Sequence, residues 1–191
     1  MERAVAMTGI GGQGIQLIAK VLAEAGIREG RQVMMFGMFG GMIRGGSSES
    51  TVVLADEEIV SPPIVPEVWA VLAMHPDGVA KLTPKVRPGG LLVRNATMVS
   101  TPSGWPAMRD VAVPATDLAK SMGQPLGAGM IALGALVAAT GIVAPPSLVE
   151  ALAAVLPPHR QKHVAANRQC LERGAAWVEE QGTPRDAVAW S

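Results

Sequence analysis

The sequence predicts an α/β fold from three observations. A short apolar run at residues 3–8 is followed by a glycine-rich turn and then by an amphipathic run at residues 15–25, which is the opening of a βαβ unit. Further short apolar runs alternate with helical patterns along the chain. The length of 191 residues suits one domain. We therefore expect a single Rossmann-like domain over residues 1–181, with a mostly parallel sheet flanked by helices plus C-terminal helices, and a tail over residues 182–191.

The first half of the chain is predicted to be rich in strands. The helix that starts at Ile15 should end within residues 26–30, where glycine favours a stop. A charged turn at residues 56–58 closes the third strand, and prolines then interrupt regular structure before the fourth. The predicted strands are residues 3–8, 32–36, 50–55 and 68–73.

The second half is predicted to be mostly helical. Two strands remain: residues 91–93, after a turn at residues 88–90, and a run from Val111 that enters a helix with Thr116 or Asp117 near its cap. A stretch rich in Gly and Ala should form a closely packed helix that a following glycine ends. The predicted helices are a short one that ends at Leu82, and residues 127–140, 145–155 and 161–180.

The composition indicates a globular chain without a dominant charge. Hydrophobic residues make up 49% and charged residues 17% of the chain, and the formal net charge is zero. Such a balance favours neither nucleic acid nor a membrane as a partner, and it suits a subunit of an assembly. The most apolar segment, residues 126–143, is rich in Gly and Ala and lacks the length of a membrane span. No signal peptide is recognisable, so we expect a cytoplasmic protein.

The chain contains one cysteine, Cys170. A single cysteine excludes an intrachain disulfide and a cysteine-rich iron–sulfur or zinc site within this chain. Because Cys170 falls on a predicted helix, we expect it to be a small core residue. No metal site is predicted.

The turn after the first strand has the pattern Gly-x-Gly-Gly-x-Gly. Glycines allow positive φ and a close approach of a ligand to the backbone. The first N–H groups of the following helix lack intrahelical partners, and the helix dipole favours an anion beside them. The alternative is that the glycines only allow close packing of strand and helix. The candidate binding residues are Gly9, Gly11, Gly12, Gln13 and Gly14.

Two common nucleotide sites are disfavoured. A dinucleotide site needs an acidic residue at the end of the second strand, and residues 32–42 contain no Asp or Glu. A P-loop needs Lys and then Ser or Thr where Ile15 follows Gly14. A stand-alone dehydrogenase is therefore the weakest function, whereas a stand-alone nucleotide- or acyl-CoA-binding module stays open as an alternative.

The loop after the second strand is the other candidate site. Residues 36–48 carry five glycines, two phenylalanines and one arginine, a composition that can fold over a ligand or against another chain. An arginine among glycines and serines can bind a phosphate or carboxylate, although a solvated surface arginine is the alternative. The candidate binding residues are Arg44, Gly45, Gly46 and Ser47.

His75 is a weak candidate for a functional residue. It lies just past the carboxyl end of a predicted strand, the side where ligands of open α/β sheets bind, but a helix-capping or exposed histidine is the favoured interpretation. The basic cluster within residues 159–163, at the start of the last predicted helix, is expected to be a solvated face.

Three segments, in their order and spacing, resemble the gamma subunit or domain of the 2-oxoacid:ferredoxin (acceptor) oxidoreductases. They are Gly-Ile-Gly-Gly-Gln-Gly at residues 9–14, Arg-Gly-Gly-Ser at 44–47 and Ala-Leu-Gly-Ala-Leu at 132–136. The resemblance extends from Val5 to about Ala175. The first two motifs together are fairly specific, and either one alone is weak.

The resemblance implies an enzyme complex that oxidatively decarboxylates a 2-oxoacid, usually to an acyl-coenzyme A, and passes two electrons to an acceptor. It places thiamine diphosphate and the iron–sulfur clusters on partner chains, namely the alpha, beta and ferredoxin-like subunits. It leaves no catalytic residue in this chain. The glycine turn and the arginine loop are implied to hold coenzyme A or to lie at the subunit interface.

This sequence departs from the family pattern at two places. Many relatives have Tyr-Gly-Pro-Glu or a similar run before the arginine, where this chain has the apolar run of residues 39–43. Many also have Asn where Gly127 or Gly129 begins the Ala/Gly-rich helix. The lost negative charge leaves the substrate open. An aryl or other apolar 2-oxoacid is one interpretation, and a place for Met42 and Ile43 at a subunit interface is the equal alternative.

Overall fold

The computed structural model describes residues 1–39, 46–62, 64–100 and 108–183. Within these ranges the chain forms an α/β unit, as predicted. The strands are β1 (Glu2–Ile10), β2 (Gln32–Phe39), β3 (Ser47–Ala55), β4 (Val68–Ala73), β5 (Val86–Asn95) and β6 (Arg109–Val113). The helices are α1 (Ile15–Arg28), α2 (Pro76–Leu82), α3 (Ala115–Ser121), α4 (Ala128–Thr140), α5 (Pro145–Val155) and α6 (Val164–Glu180), with 3₁₀ turns at Thr83–Lys85 and Pro158–His163.

The strands form one mixed sheet in the order β2-β3-β1-β4-β5-β6. β1, β4, β5 and β6 are parallel neighbours, whereas β3 runs antiparallel to both β1 and β2. A parallel return from β2 needs a crossover of a dozen or more residues, and the connection from β2 to β3 is shorter than that. The chain therefore makes a hairpin there, and the predicted mostly parallel sheet contains one reversed strand.

The strand order creates a crevice between the carboxyl ends of β1 and β4. After β1 the chain passes through α1 to β2, which lies towards one edge of the sheet. After β4 it passes through α2 to β5, which lies towards the opposite edge. Ligands of open α/β sheets bind where the strand order reverses in this way. The glycine turn follows β1 directly and so lies at that point.

Side chains alternate between the two faces of the sheet and build two cores. Val5 and Met7 of β1 belong to a large core that α1, α3, α4, α5 and α6 complete. Ala4 and Ala6 belong to a smaller core on the opposite face, which Leu82 of α2 joins. Cys170 is a buried member of the large core, as predicted.

Helix α4 is buried nearly all round, which explains its small, apolar sequence. It packs on the sheet on one side and on α6 on the other. A Cβ at Gly134 would overlap the backbone carbonyl of Leu171, and one at Gly174 would overlap that of Ile131. The predicted close packing of this helix is confirmed, and Gly141 ends it in the left-handed region with φ 62°.

Two local predictions were wrong and one was confirmed. Residues 88–90 do not form a turn before the strand but lie inside β5, where Gly89 has φ 74° and the pairing with β4 shifts register. Thr116 and Asp117 lie near the cap of α3, as predicted: Pro114 is the N-cap, and the N–H of Thr116 donates to the Asn95 side-chain oxygen at 3.2 Å. The start of the last predicted helix is a 3₁₀ turn, whose basic residues are exposed as expected.

Candidate functional site

The glycine turn is shaped by two residues in conformations that favour glycine. Gly12 has φ 96° and Gly14, the N-cap of α1, has φ 74°. Both are exposed, and a Cβ at either would meet nothing within 4 Å. Gly9 has a different reason to be glycine, because a Cβ there would lie 2.5 Å from the Gln13 Oε1 atom. The turn therefore combines open backbone with close packing, the two alternatives that the sequence left open.

Gln13 fixes the turn across the crevice between β1 and β4. Its Oε1 accepts a hydrogen bond from the Ile10 N–H at 2.9 Å, and its Nε2 donates to the Met74 carbonyl at 3.3 Å. Met74 follows β4, and its own N–H donates to the Thr8 carbonyl at 2.8 Å. The side-chain amide thus joins the carboxyl ends of both strands and holds the turn in place.

The turn also contacts the segment that begins β3. The Gly11 N–H donates to the Gly46 carbonyl at 2.9 Å, and Ile10 is paired with Ser47 in the sheet. Gly46 and Ser47 are therefore brought to the glycine turn as the resemblance implied. Arg44 and Gly45 lie outside the described residues.

A second side chain anchors the same neighbourhood from α1. Gln16 Nε2 donates to the Glu49 carbonyl at 2.8 Å and to the Ser48 hydroxyl at 3.4 Å. A Cβ at Gly37 of β2 would lie 2.6 Å from the Gln16 Oε1 atom, so Gly37 makes room for this side chain. Both strands of the hairpin are thereby held against the first turn of α1.

The N-termini of two helices, α1 and α4, lie at the turn, and no negative side chain in either first turn offsets their positive dipole ends. Neither α1 nor α4 has a side-chain cap or an acidic residue in its first turn. A Cβ at Gly129 would lie 2.9 Å from the Gln13 carbonyl oxygen, so the first turn of α4 adjoins the glycine turn. Among the described residues, no hydrogen bond uses the N–H groups of Gly12 or Gly14. These groups together favour an anion.

The carboxylate of Glu49 on β3 does not neutralise the positive potential of the helix N-termini at the turn. Glu49 is paired with Thr8 at the end of β1, but its two oxygens contact Lys81 Nζ at 2.7 and 2.8 Å. The pair is close to neutral, so the positive character of the turn is retained.

His75 is a helix cap, as predicted. It is the N-cap of α2, and its Nδ1 accepts a hydrogen bond from the Asp77 N–H at 3.4 Å. Across the four described ranges, no three His, Cys, Asp or Glu side chains group closely enough to bind a metal ion. In the same ranges, no helix has both the length and the apolar character that a membrane crossing requires.

The sequence did not predict that Gln16, Glu49 and Lys81 contribute to this site. Their contacts join α1 and α2 to β3 over more than 30 residues of chain, and they depend on the β2–β3 hairpin that was not predicted. The one available signal was Gly37, a glycine inside a predicted strand-to-loop run, which is typical of close backbone approach.

The sequence pattern of the family described as pyruvate ferredoxin/flavodoxin oxidoreductase matches residues 4–177. The chain belongs to this family. The glycine turn, the start of β3 and all of α4 lie within the matched range, so the candidate site is part of the family domain.

A curated relative is the ketoisovalerate oxidoreductase subunit VorA of Methanothermobacter thermautotrophicus. The two are 31% identical over 180 residues, which cover 94% of this chain and 37% of VorA. This member of the oxidoreductase family therefore spans little more than a third of the length of that relative.

Two solved structures share the fold. The gamma subunit of a keto/oxoacid ferredoxin oxidoreductase from Geobacter sulfurreducens superposes with a TM-score of 0.79 at 28% identity, covering 92% of this chain and 95% of that one. A 2-oxoglutarate:ferredoxin oxidoreductase from Magnetococcus marinus, with 2-oxoglutarate, coenzyme A and succinyl-CoA bound, superposes with a TM-score of 0.81 at 21% identity, covering 94% of this chain and 31% of that one. The predicted resemblance to gamma subunits is confirmed.

Proposed function

We propose that this chain is the gamma-type subunit of a thiamine-diphosphate-dependent 2-oxoacid oxidoreductase complex, and that its glycine turn holds coenzyme A. The complex would convert a 2-oxoacid and coenzyme A to an acyl-coenzyme A and carbon dioxide, with two electrons passing to ferredoxin or another acceptor. Membership of the family supports the class of complex. The coenzyme A bound in the Magnetococcus marinus neighbour supports the ligand.

The observation that carries the coenzyme A proposal is a pair of backbone N–H groups that have no hydrogen-bond partner among the described residues. They belong to Gly12 and Gly14, which are exposed residues just before α1, and the start of α4 adjoins this turn. Coenzyme A carries phosphate groups, and phosphate binds at helix N-termini through such N–H groups and the dipole. The turn would bind and orient a phosphate of coenzyme A and would take no part in bond breaking.

Arg44 is proposed to supply a side-chain cation to the same anion. It lies two positions before Gly46, a span of at most about 7 Å, and the Gly46 carbonyl accepts a hydrogen bond from the glycine turn. A guanidinium binds phosphate through two parallel hydrogen bonds, which adds orientation as well as energy. Gly45, Gly46 and Ser47 would keep this segment close to the turn.

The remaining chemistry is proposed to belong to partner subunits. Iron–sulfur clusters need several cysteine ligands, and this chain has only the buried Cys170. Thiamine diphosphate would supply stabilisation of the carbanion formed on decarboxylation. We therefore infer that alpha, beta and ferredoxin-like subunits carry these groups, while this chain positions coenzyme A or the 2-oxoacid.

Exposed apolar side chains near the turn support a role at a subunit interface. Phe36 and Met38 on the edge strand β2 are 39% and 48% exposed. Phe and Met are enriched in protein interfaces, and β2 leads directly into the arginine loop. A partner chain that covers β2 would thus lie beside the proposed coenzyme A site.

The substrate class is proposed from the same loop. Met42 and Ile43 stand where many relatives carry a more polar run with an acidic residue, so the site would suit an aryl or other apolar 2-oxoacid. Both residues lie outside the described ranges. Comparing phenylpyruvate, 2-oxoisovalerate and 2-oxoglutarate as substrates of the purified complex tests this, and a preference for 2-oxoglutarate would contradict it.

The coenzyme A role is tested by Arg44→Ala in the assembled complex. A hydrogen bond to a charged group is worth about 1.5–3 kcal/mol. We therefore expect the apparent KM for coenzyme A to rise about 10- to 100-fold while thiamine diphosphate content stays unchanged. The matched control is Arg168→Ala on α6, whose exposed side chain pairs only with the neighbouring Glu172 in the described structure.

An unchanged KM for coenzyme A in Arg44→Ala would refute the assigned role of this residue. The class of function is tested separately by purification. Co-purification with thiamine- and cluster-containing subunits supports the complex. A stable monomer that binds acyl-coenzyme A tightly by itself would favour the stand-alone binding module instead.

A further inference from the structure

An apolar groove of about 220 Å³ lies between α4, α5 and α6. Its lining includes Gly134, Val137 and Ala138 of α4, Leu148 of α5 and Leu171 of α6. The glycine turn does not line it. A dry apolar cavity of about 150 Å³ admits benzene, so this groove has room for one large aromatic side chain.

The described chain ends at the rim of this groove in a defined turn. After α6, the Gly182 N–H donates to the Glu179 carbonyl at 3.0 Å and the Thr183 N–H donates to the Val178 carbonyl at 3.2 Å. Gly182 has φ 59°, which completes a Schellman motif. Val178, Glu179 and Thr183 all line the groove, so the motif turns the chain back beside it.

The residues that follow Thr183 in the sequence include an apolar run that could fill this groove. Pro184 and the charged pair Arg185–Asp186 precede the apolar run Ala187–Trp190. Trp190 lies seven positions after Thr183, and a chain of that length spans up to about 23 Å. The groove wall from Leu171 to Val178 is seven helical residues, or about 10 Å. The segment is therefore long enough to return along the whole groove.

We propose that the apolar groove is the docking surface for this segment, with Ala187–Trp190 seated between α5 and α6. Trp190 supplies the large apolar surface that the groove accommodates. In this arrangement the positive charge of Arg185 would lie near Glu172 and Glu179, two carboxylates that line the groove. A segment tethered at the rim acts at a millimolar effective concentration, so it outcompetes a second copy of the chain at micromolar concentration.

Disulfide trapping in the full chain tests the proposal directly. Val149 is half-buried on the α5 wall, and the test pairs Val149→Cys with Ala189→Cys. Mild oxidation should give a fast intrachain disulfide, because the bond needs the two Cα atoms within about 7 Å. The matched control pairs Ala189→Cys with Asp77→Cys, an exposed position on α2 across the sheet, and should give at least tenfold slower closure.

A second measurement guards against variants that fail to fold. In the otherwise unchanged full chain, Trp190→Ala should raise binding of an apolar fluorescent dye and speed hydrogen exchange in α5 and α6 several-fold, and Trp190→Phe should reverse most of both effects. Disulfide-linked dimers would show that a second copy is the occupant and would overturn the proposal. Groove protection that needs partner subunits and survives Trp190→Ala would overturn it equally. These outcomes leave the coenzyme A site untouched.

Discussion

Glycines serve opposite purposes in two regions of this molecule. At the turn, Gly12 and Gly14 adopt positive φ, are exposed and would leave an added Cβ in open space. At the crossing of α4 and α6, Gly134 and Gly174 are buried, and an added Cβ would overlap the backbone of the facing helix. The first region needs glycine for its backbone conformation, and the second needs it for lack of space.

The contrast indicates where a ligand can act. The crossing uses its backbone groups within two regular helices, so it has no backbone N–H group left to bind an anion. The turn keeps N–H groups without a partner among the described residues, next to two uncapped helix starts. Substitutions in the crossing should therefore change stability alone, whereas substitutions in the turn should change binding more than stability.

The largest effect on stability is expected from Gly174→Ala. The added methyl group would overlap the Ile131 carbonyl, and backbone on a packed helix moves only with the helix. Overpacking of this kind costs up to about 3 kcal/mol, which corresponds to a fall in Tm of about 10 °C for a domain of this size. Thermal unfolding followed by circular dichroism measures it.

Ala176→Gly on the same helix is the control for Gly174→Ala. It changes helix propensity by about 1 kcal/mol without adding volume. If Gly174→Ala and Ala176→Gly lowered Tm equally, the close crossing of α4 and α6 would not limit stability.

The next effect is on binding and comes from Gly14→Asp compared with Gly14→Asn. Both side chains tolerate positive φ, so the two variants differ mainly in charge. A carboxylate at the start of α1 would occupy the dipole end that the proposal assigns to a phosphate. We expect Gly14→Asp to raise the apparent KM for coenzyme A about tenfold over Gly14→Asn, measured by steady-state kinetics of the complex.

Equal coenzyme A kinetics of the Gly14→Asp and Gly14→Asn variants would contradict an anion at this turn. Equal Tm values of the two variants are required for the comparison, because a difference in folding would mimic a difference in binding. Gly14→Ala adds the strain of positive φ without charge and should lower Tm by more than Gly14→Asn.

A smaller effect is expected from Gln13→Ala. The substitution leaves the Ile10 N–H without its acceptor and the Met74 carbonyl without its donor. Each net hydrogen bond is worth about 1 kcal/mol, so urea unfolding should show a loss of about 1–2 kcal/mol. Gln13→Glu keeps the acceptor and loses the donor, and it should recover part of that loss at most. Full stability of Gln13→Ala would show that the bridge between β1 and β4 is not needed.

The fold was predictable where hydrophobic pattern and glycine act locally. The run at residues 68–73 is apolar throughout, and it matches β4 residue for residue because a buried parallel strand needs no alternation. Gly141 correctly marked the end of α4. The bulge at Gly89 was not predictable, since it depends on how β5 meets β4 and not on its own residues.

The candidate site was predictable in its motif but not in its contacts. The positive φ of Gly12 and Gly14 follows from glycine alone, and the proximity of Gly46 follows from the family resemblance. The bridge from Gln13 to Met74 joins residues 61 positions apart, and no local pattern reports such a pair. Long-range hydrogen bonds such as this one set the geometry of the glycine turn. They can be predicted only once the order of the strands in the sheet is known.

The smallest effect concerns Cys170, which packs beside Gly127 just before α4. Burial raises the pKa of the Cys170 thiol, so the folded chain holds this proton at pH values where the unfolded chain releases it. The stability that this provides is complete below the unfolded pKa of about 8.5 and is lost as pH rises through the raised folded pKa. Urea unfolding should therefore show less stability at pH 9.5 than at pH 7.5 from this group, and Cys170→Ala should remove that pH-dependent part. Reaction of Cys170 with iodoacetamide in the folded chain, at the rate of a free thiol, would show that the contact between Cys170 and Gly127 is open to solvent. The contrast between a closely packed helix crossing and an open glycine turn would then fail.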